Sequence, residues 1–149
     1  MTKKITKNET VAANVDEQPW TVAFKKRSTE AFEAALAPDV VLDTSGLFKP
    51  IVGRDLVKIC MAAASSLYEH LDFFAQAKSK GRTWLAWKAR TFSGIECAGV
   101  TVLETNAAGK ITSISIHHRP LGALLRFSDE VGRRLEGKID RSHFYRVPE

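Results

Sequence analysis

The segment TWLAWKARTFSGIECAGVTVLETNAAGKITSISIHH, residues 83–118, decides the fold. It contains three stretches rich in strand-forming residues: Thr83–Phe92, Ile95–Thr105 and Lys110–His118. Only Ser93-Gly94 and Asn106–Gly109 separate them, and turns this short join antiparallel strands, because a parallel crossover needs a dozen or more residues. Together with the preceding strand-like stretch Phe73–Ser79, the segment predicts a four-stranded antiparallel meander.

Helical patterns flank the meander on both sides. Apolar residues recur at helical spacing over Arg54–Leu71, which predicts a long helix. A last helix is predicted over Leu121–Leu135, and the residues expected on its inward side are Leu121, Leu124, Leu125, Ser128 and Leu135. Two short helices are expected within residues 19–37, since Pro19 suits the first turn of a helix. A strand follows at Asp39–Asp43, and Leu47–Val52 returns as a weak edge strand. This order predicts an α+β domain with its helices on one face of a bent sheet.

Length and composition limit the domain organisation and the compartment. The chain has 149 residues, 44% of them hydrophobic, which suits one domain at residues 16–137, between a polar arm at 1–15 and a tail at 138–149. The longest apolar run, Ile59–Ala64, is far shorter than the roughly 20 residues that span a membrane. No apolar core follows the N-terminal lysines, and the two cysteines form no disulfide framework or zinc motif. We therefore expect a cytoplasmic protein without a membrane segment, metal or other cofactor.

The basic charges are spread along the chain. The net charge is +5, but the lysines and arginines lie in separate short groups along the chain. A nucleic-acid-binding surface usually concentrates its positive charge on one face. We therefore expect a solvated basic surface rather than a nucleic-acid partner.

Both faces of the meander are largely apolar. In the strand Ile95–Thr105, alternate residues form two sets: Cys97, Gly99, Thr101 and Leu103 on one face, and Ala98, Val100 and Val102 on the other. An antiparallel sheet in a monomer usually leaves one face wet. Two dry faces predict helices with a pocket on the concave side and a second copy of the chain on the convex side.

Three stretches carry a resemblance to a known superfamily. FEAALAPDVVLD (32–43), GRDLV (53–57) and GVTVLETNAAGKITSISIHHRPLGALL (99–125) resemble the nuclear transport factor 2, ketosteroid isomerase and SnoaL-like polyketide cyclase superfamily over about residues 19–135. The resemblance implies a cone: a curved antiparallel (mixed) sheet wrapped around three to four helices, enclosing an apolar pocket, usually in a homodimer. Isomerases, hydrolases, dehydratases, cyclases and interaction modules share this fold, so the chemistry depends on individual residues.

Asp43 is the first candidate catalytic residue. In ketosteroid isomerase an aspartate at the matching position moves the proton, so the resemblance implies a general base here. A carboxylate in an apolar pocket resists ionisation, which raises its pKa and makes it a better base. The alternative is structural: the Asp43 side chain could cap the turn Thr44-Ser45-Gly46.

His118 is the second candidate, at the end of the last strand. Neighbouring strand residues point to opposite faces, so His118 shares the face of Ile114 and Ile116, and a histidine there can act as acid or base near neutral pH. Trp20 and Thr101 fall on the positions of the donors that hold the ligand oxygen in ketosteroid isomerase. The alternative for His118 is a histidine hydrogen-bonded within the core or at an interface.

Aromatic side chains form the predicted pocket wall. Trp84 and Trp87 lie on opposite faces of one strand, and we favour Trp87 as the inward one, because an inward Trp84 would bring Lys88 and Arg90 with it. The predicted ligand-binding residues are Trp20, Phe24, Phe48, Trp87, Thr101, Ile114 and Ile116. Such a cavity favours a hydrophobic small molecule.

Two functions follow from these residues. The first is cofactor-independent proton abstraction next to a carbonyl, leading to isomerisation, cyclisation or dehydration, with Asp43 as the base and His118 assisting it. The second is a non-catalytic ligand- or protein-binding module of the same fold. The two functions are distinguished by whether the side chains of Asp43 and His118 face the same cavity.

Overall fold

The computed structural model describes residues 15–148, so the predicted arm at 1–15 lies outside the described residues except for Val15. The helices are α1 (Pro19–Lys26), α2 (Thr29–Ala35), α3 (Arg54–Ser66) and α4 (Leu121–Arg134). The strands are β1 (Leu36–Thr44), β2 (Ile51–Val52), β3 (Tyr68–Ser79), β4 (Arg82–Thr91), β5 (Ile95–Thr105) and β6 (Ile111–Arg119). Within this part of the chain, no helix is long and apolar enough to cross a membrane.

All six strands form one mixed sheet in the order β2-β1-β6-β5-β4-β3. Strands β3 to β6 are the predicted antiparallel meander. Strand β1 pairs in parallel with β6, bringing Leu42 beside Ile114 and Asp43 beside Ser115. The helices and the inward-facing strand residues form two apolar clusters that share partly buried neighbours, among them Phe24 and Ile116, which gives the predicted α+β cone.

The predicted long helix ends earlier than expected. The periodicity favours Arg54–Leu71, but α3 ends at Ser66 and Tyr68 begins β3. Pairing with β4 satisfies the backbone groups of this segment, which places Tyr68 opposite Thr91. His70, which the longer helix would have put at its C-terminus, instead lies on β3 and contacts Asp72 at 2.8 Å.

Strands at the start of the sheet also differ from the prediction. Strand β1 begins at Leu36, three residues earlier than expected, and its pairing with β6 is irregular between Leu36 and Val41. Of the predicted strand Leu47–Val52, only Ile51–Val52 pairs with β1. Proline lacks the donor that a ladder needs, which is consistent with pairing only after Pro50.

The segment after α4 folds back onto the domain. Ile139 and Phe144, both within the predicted tail, are buried in the main core. Phe144 also forms a β-bridge with Leu47, and the Arg141 guanidinium pairs with the buried carboxylate of Asp129. The segment from Ile139 to Phe144 therefore packs against the helices and strands of the domain.

The two faces of the meander are divided as predicted. Cys97, Gly99, Thr101 and Leu103 are buried, whereas Ala98 and Val102 are half-buried and Val100 is 38% exposed. Trp87 lies on the buried face and Trp84 on the other, which confirms the favoured arrangement. We call the second face, formed by Trp84, Ala86, Ala98, Val100 and Val102, the outer face.

Candidate functional site

A small apolar cavity lies between the sheet and the helices. This inner cavity has a volume of about 60 Å³ and is bordered by residues of α1, β1, α3, β6 and α4. Most of its wall is hydrocarbon, and its titratable lining groups are Cys60, Tyr68 and His118. Burial raises the pKa of Cys60 to about 12, so its thiol stays protonated at neutral pH.

Four aromatic rings form a closed circuit beside this cavity. The centroid of His118 lies 5.2 Å from that of Trp87 and 5.0 Å from that of Phe127. The centroid of Tyr68 lies 6.1 Å from Trp87 and 5.2 Å from Phe127. These separations are typical of favourable aromatic contacts, so each ring is held by two others and the imidazole has a fixed position.

Within residues 15–148, His118 is one of two buried side chains whose nitrogens lack hydrogen-bond partners; the other is Trp20, through its indole Nε1. Both ring nitrogens of His118 are buried, and neither has a hydrogen-bond partner within residues 15–148. The backbone N–H of His118 donates to Ser45 Oγ at 3.0 Å, which fixes the end of β6. Burial lowers the pKa of the side chain to about 4. At neutral pH the ring therefore offers one unused N–H donor and one unused nitrogen acceptor.

Two hydroxyl groups belong to or contact the circuit of four aromatic rings: Tyr68 is one of the rings, and Thr101 is hydrogen-bonded to Trp87. Tyr68 is 6% exposed, and burial raises its pKa, so the phenol keeps its proton. Thr101 Oγ1 accepts a hydrogen bond of 3.0 Å from Trp87 Nε1, which leaves the threonine proton for another acceptor. Thr101 borders a void of about 10 Å³ that shares Phe24, Tyr68 and Ile116 with the inner cavity.

Asp43 lies on the opposite side of the sheet from His118. Leu42 and Thr44 line the inner cavity, and strand alternation turns the side chain between them outward, where Asp43 is exposed. The turn that Asp43 was expected to cap uses Thr44 instead, whose Oγ1 accepts from Gly46 N–H at 2.9 Å. The structure therefore does not bring Asp43 and His118 to one cavity, and the pairing expected from the sequence has no geometric support.

The other predicted ligand-binding residues divide between cavity, core and surface. Phe24 and Ile116 border the inner cavity, while Trp87 and Thr101 border the adjoining void. Three others do not border either space: Trp20 is 1% exposed and packs against Phe24 and Phe32, Ile114 is fully buried core, and Phe48 is 72% exposed. Alternation along β6 places Ile114 inward but does not say whether it meets a cavity.

Tyr68 and Phe127 are wall residues that the sequence analysis missed. Tyr68 lay inside the predicted helix, and Phe127 was not among the inward positions of the last helix. That helix was expected to turn Leu121 inward, yet Leu121 is 69% exposed. The signal for Phe127 is its spacing, because it follows the buried Leu124 by three residues and precedes Val131 by four.

A second, larger space opens outside the inner cavity. This outer groove has a volume of about 580 Å³ and lies between α1 and β3. Charged side chains of both signs line it, including Lys25, Arg27, Glu69 and Asp72. Neither space holds a metal-binding set: across the described 15–148 range, no three His, Cys, Asp or Glu side chains form a group that could bind an ion.

Comparisons with known proteins identify the fold. No protein-family model matches the sequence, and no curated protein matches it. Among solved structures, a steroid delta-isomerase from Pseudomonas aeruginosa has a TM-score of 0.72 at 21% identity, covering 89% of this chain and 94% of that chain. An NTF2-like protein from Cytophaga hutchinsonii has a TM-score of 0.58 at 14% identity, covering 83% and 98%.

A SnoaL-like family protein from Agrobacterium tumefaciens is a further neighbour, with a TM-score of 0.54 at 15% identity, covering 78% of this chain and 100% of that chain. Identities this low carry information about the fold and not about the reaction. The chain therefore has the fold of the nuclear transport factor 2-like superfamily, shared with ketosteroid isomerase-like and SnoaL-like proteins.

Proposed function

We propose that this protein binds a small, largely apolar molecule carrying one hydroxyl or carbonyl oxygen, and that His118 transfers a proton of that molecule in an isomerase-type reaction. The observation that carries the proposal is the buried imidazole, whose two nitrogens lack partners within residues 15–148. A buried polar group without a hydrogen bond costs free energy, and a ligand that pairs with it recovers that cost.

His118 has the properties of a general base. Burial lowers its pKa to about 4, so the ring is neutral and able to accept a proton at pH 7. A base of similar strength, a carboxylate whose pKa is only modestly raised, abstracts the proton in ketosteroid isomerase. The aromatic contacts with Trp87 and Phe127 supply the fixed orientation that proton transfer needs.

Tyr68 and Thr101 are the proposed partners of the ligand oxygen. Abstraction of a proton next to a carbonyl places negative charge on the oxygen, and hydrogen-bond donors stabilise that charge. The Tyr68 phenol keeps its proton because burial raises its pKa, and the Thr101 hydroxyl has a proton that its bond from Trp87 does not use. Both can therefore donate to the enolate oxygen.

The size of the inner cavity limits the ligand. An apolar cavity of about 150 Å³ holds a benzene-sized molecule. The inner cavity has about 60 Å³, so even a single-ring ligand requires its wall to move. We therefore expect ligands of one ring or less, and a matching movement of wall side chains on binding.

Ligand binding without catalysis is the second candidate. Within residues 15–148, no carboxylate lines the inner cavity, and the raised pKa of Cys60 removes its thiol as an acid or base at neutral pH. His118 would then act only as a hydrogen-bonding partner. Both candidates require a ligand at His118, and turnover distinguishes them.

Isomerisation of 3-cyclohexenone to its conjugated isomer tests the first candidate, because the product absorbs in the ultraviolet. We expect His118→Phe, which keeps the ring and removes its nitrogens, to lower the rate at least 100-fold. His117→Phe is the matched control, since His117 is exposed on the other face of β6. Asp43→Asn tests the base that the resemblance implied.

The outcomes separate the roles of the three residues. Turnover lost in His118→Phe and retained in Asp43→Asn supports the proposal. Turnover lost in Asp43→Asn and retained in His118→Phe overturns it. Binding of 2-cyclohexenone by the native protein and not by His118→Phe, without turnover in either, assigns the non-catalytic role.

We also propose that two copies of the chain associate through the outer face. The support is the exposed apolar surface there: Val100 is 38% exposed between Ala86 of β4 and His117 of β6. The other residues of the outer face, Trp84, Ala86, Ala98 and Val102, are half-buried, and apolar surface on a sheet face is often covered by a partner.

A further inference from the structure

Two side chains border both the outer groove and the interior spaces. Phe24 and Tyr68 are the residues that border the outer groove, the inner cavity and the void beside Thr101 alike. Their ring centroids are 6.1 Å apart. The groove has about 580 Å³, roughly ten times the 60 Å³ of the cavity behind these rings.

Phe24 is the more exposed of the two. Tyr68 is 6% exposed, lies on a strand paired with β4, and contacts Trp87 and Phe127. Phe24 is half-buried on α1, a helix of eight residues that ends two positions later at Lys26. Its ring makes edge contacts with Trp20, Phe32 and Phe73 at centroid distances of 5.2 to 5.7 Å.

We propose that Phe24 is the specificity-determining residue of this site: its ring closes the inner cavity, and the ligand reaches His118 from the outer groove through the space that the ring occupies. The inference rests on the proposed function, in which His118 meets the ligand. It adds the route of entry and the size of molecule accepted. The native protein takes a one-ring ligand, and loss of the Phe24 ring admits a two-ring ligand of the same oxygen-bearing class.

The lining residues that the three spaces share support this assignment. Phe24 stands between a groove lined by charged side chains and a cavity lined mainly by hydrocarbon. Shortening its side chain removes a ring that contacts Tyr68 but keeps all four rings of the circuit around His118 in the protein. Shortening Tyr68 would remove one of the rings of the circuit that positions His118. Phe24 is therefore the position at which the space for a ligand can be enlarged while the four rings of the circuit are retained.

The two cysteines of the chain provide a test that needs no ligand. Cys60 lines the inner cavity, whereas Cys97 is buried beside Tyr68 and Trp87. Opening at Phe24 exposes Cys60 alone, while global unfolding exposes both thiols. The ratio of their labelling rates by N-ethylmaleimide, followed by peptide mass spectrometry, therefore separates opening at Phe24 from loss of stability.

We expect Phe24→Ala to raise the Cys60 to Cys97 labelling ratio at least tenfold, and Phe24→Leu to raise it by a smaller factor in the same direction. Phe32→Leu is the matched control, because Phe32 is fully buried and contacts Phe24 but borders neither the outer groove, the inner cavity nor the void beside Thr101. It should leave the ratio unchanged. A ratio that stays unchanged in Phe24→Leu and Phe24→Ala overturns the proposal.

Calorimetric binding of phenol and 2-naphthol supplies the second readout. We expect the native protein to bind phenol, and Phe24→Ala to bind 2-naphthol at least tenfold more tightly than the native protein does. If both proteins bind phenol and neither gains affinity for 2-naphthol, the role of Phe24 is overturned and the proposed function stands. If the labelling ratio rises but neither probe binds either protein, the entry route stands and the proposed function fails.

Discussion

The indole Nε1–H of Trp87 donates a hydrogen bond of 3.0 Å to Thr101 Oγ1, joining β4 to β5 within the buried face of the sheet. Gly99 lies beneath the same indole, where an added Cβ would come within 2.5 Å of a ring carbon. The glycine thus gives the ring room to lie flat on the strand, and the threonine sets its direction. The position of Trp87 in turn supports one side of the His118 ring.

Replacing Thr101 tests this relationship. Thr101→Val preserves the shape of the side chain but leaves the buried indole N–H without its acceptor, so we expect a loss of about 1–3 kcal/mol in the free energy of unfolding. Urea denaturation measures the loss. Thr101→Ser retains the oxygen, and it should be less destabilising than Thr101→Val. Equal stability of the valine variant and the native protein would show that the bond contributes nothing.

Burial of His118 predicts a pH-dependent stability. Its pKa in the folded protein is about 4, below the ordinary value of 6.5, so between these values the unfolded chain binds the proton and the folded chain does not. The stabilisation is therefore present above pH 6.5 and is lost as the pH falls towards 4. The contribution of this residue should decrease by about 2 kcal/mol between pH 7.5 and pH 5.

His118→Phe removes this contribution while keeping an aromatic ring between Trp87 and Phe127. Urea denaturation of both proteins at pH 7.5 and pH 5 should show a smaller loss of stability on acidification in the variant. Cys60 and Tyr68, the other titratable groups of the inner cavity, have raised pKa values and remain neutral throughout. His117→Phe should follow the native protein, and the same acid sensitivity in His118→Phe would contradict the assignment.

Local patterns were sufficient to predict most of the fold. Short turns specified the antiparallel meander, and alternation along β5 specified its two faces correctly, because both depend on nearby residues. The end of α3 could not be predicted in this way. The sequence around Tyr68 suits a helix by spacing, and its place in a strand depends on pairing with Thr91, a distant residue.

The site was harder to predict than the sheet. Alternation relative to Ile116 placed His118 inward, and the structure agrees. The role of general base was given to Asp43 by resemblance and not from the pattern of its own strand. Leu42 is a core residue, and alternation along the strand turns its neighbour Asp43 to the opposite face. The cavity itself, and the shared position of Phe24 and Tyr68 on its wall, depend on packing between elements that no local pattern records.

A buried ion pair holds the C-terminal segment against α4. Asp129 is buried and pairs with the guanidinium of Arg141, which also donates to the backbone oxygens of Asp129 and Tyr145 at 3.0 and 3.3 Å. Gly132 leaves space for this guanidinium, because a Cβ there would meet Arg141 Nη1 at 1.7 Å. The pair keeps Phe144 in place on the wall of the inner cavity.

Removing one charge of this pair should destabilise the protein. Asp129→Asn leaves the partly buried arginine without a counter-charge, and we expect a loss of about 3 kcal/mol in the free energy of unfolding, measured by urea denaturation. Glu130→Gln is the matched control, since Glu130 pairs with Arg134 nearer the surface at 3.1 Å. That change should cost less than about 1 kcal/mol. Similar losses in the two variants would show that burial does not increase the contribution of the Asp129–Arg141 pair to the free energy of unfolding.

Association through the outer face can be tested at Val100. Strands β4 to β6 place this side chain at the centre of the outer face, and a second copy of the chain covering it would exclude water from an apolar surface. Sedimentation equilibrium at micromolar concentration should therefore give twice the 16.5 kDa mass of the chain. Val100→Lys introduces a charge there, and burial of two such charges in a symmetric interface should shift the protein to the monomer mass.

Val52→Lys is the control, because Val52 is an exposed apolar residue on the edge strand β2. A native protein that sediments as a stable monomer contradicts the proposal, since the apolar outer face would then be exposed to water without a partner.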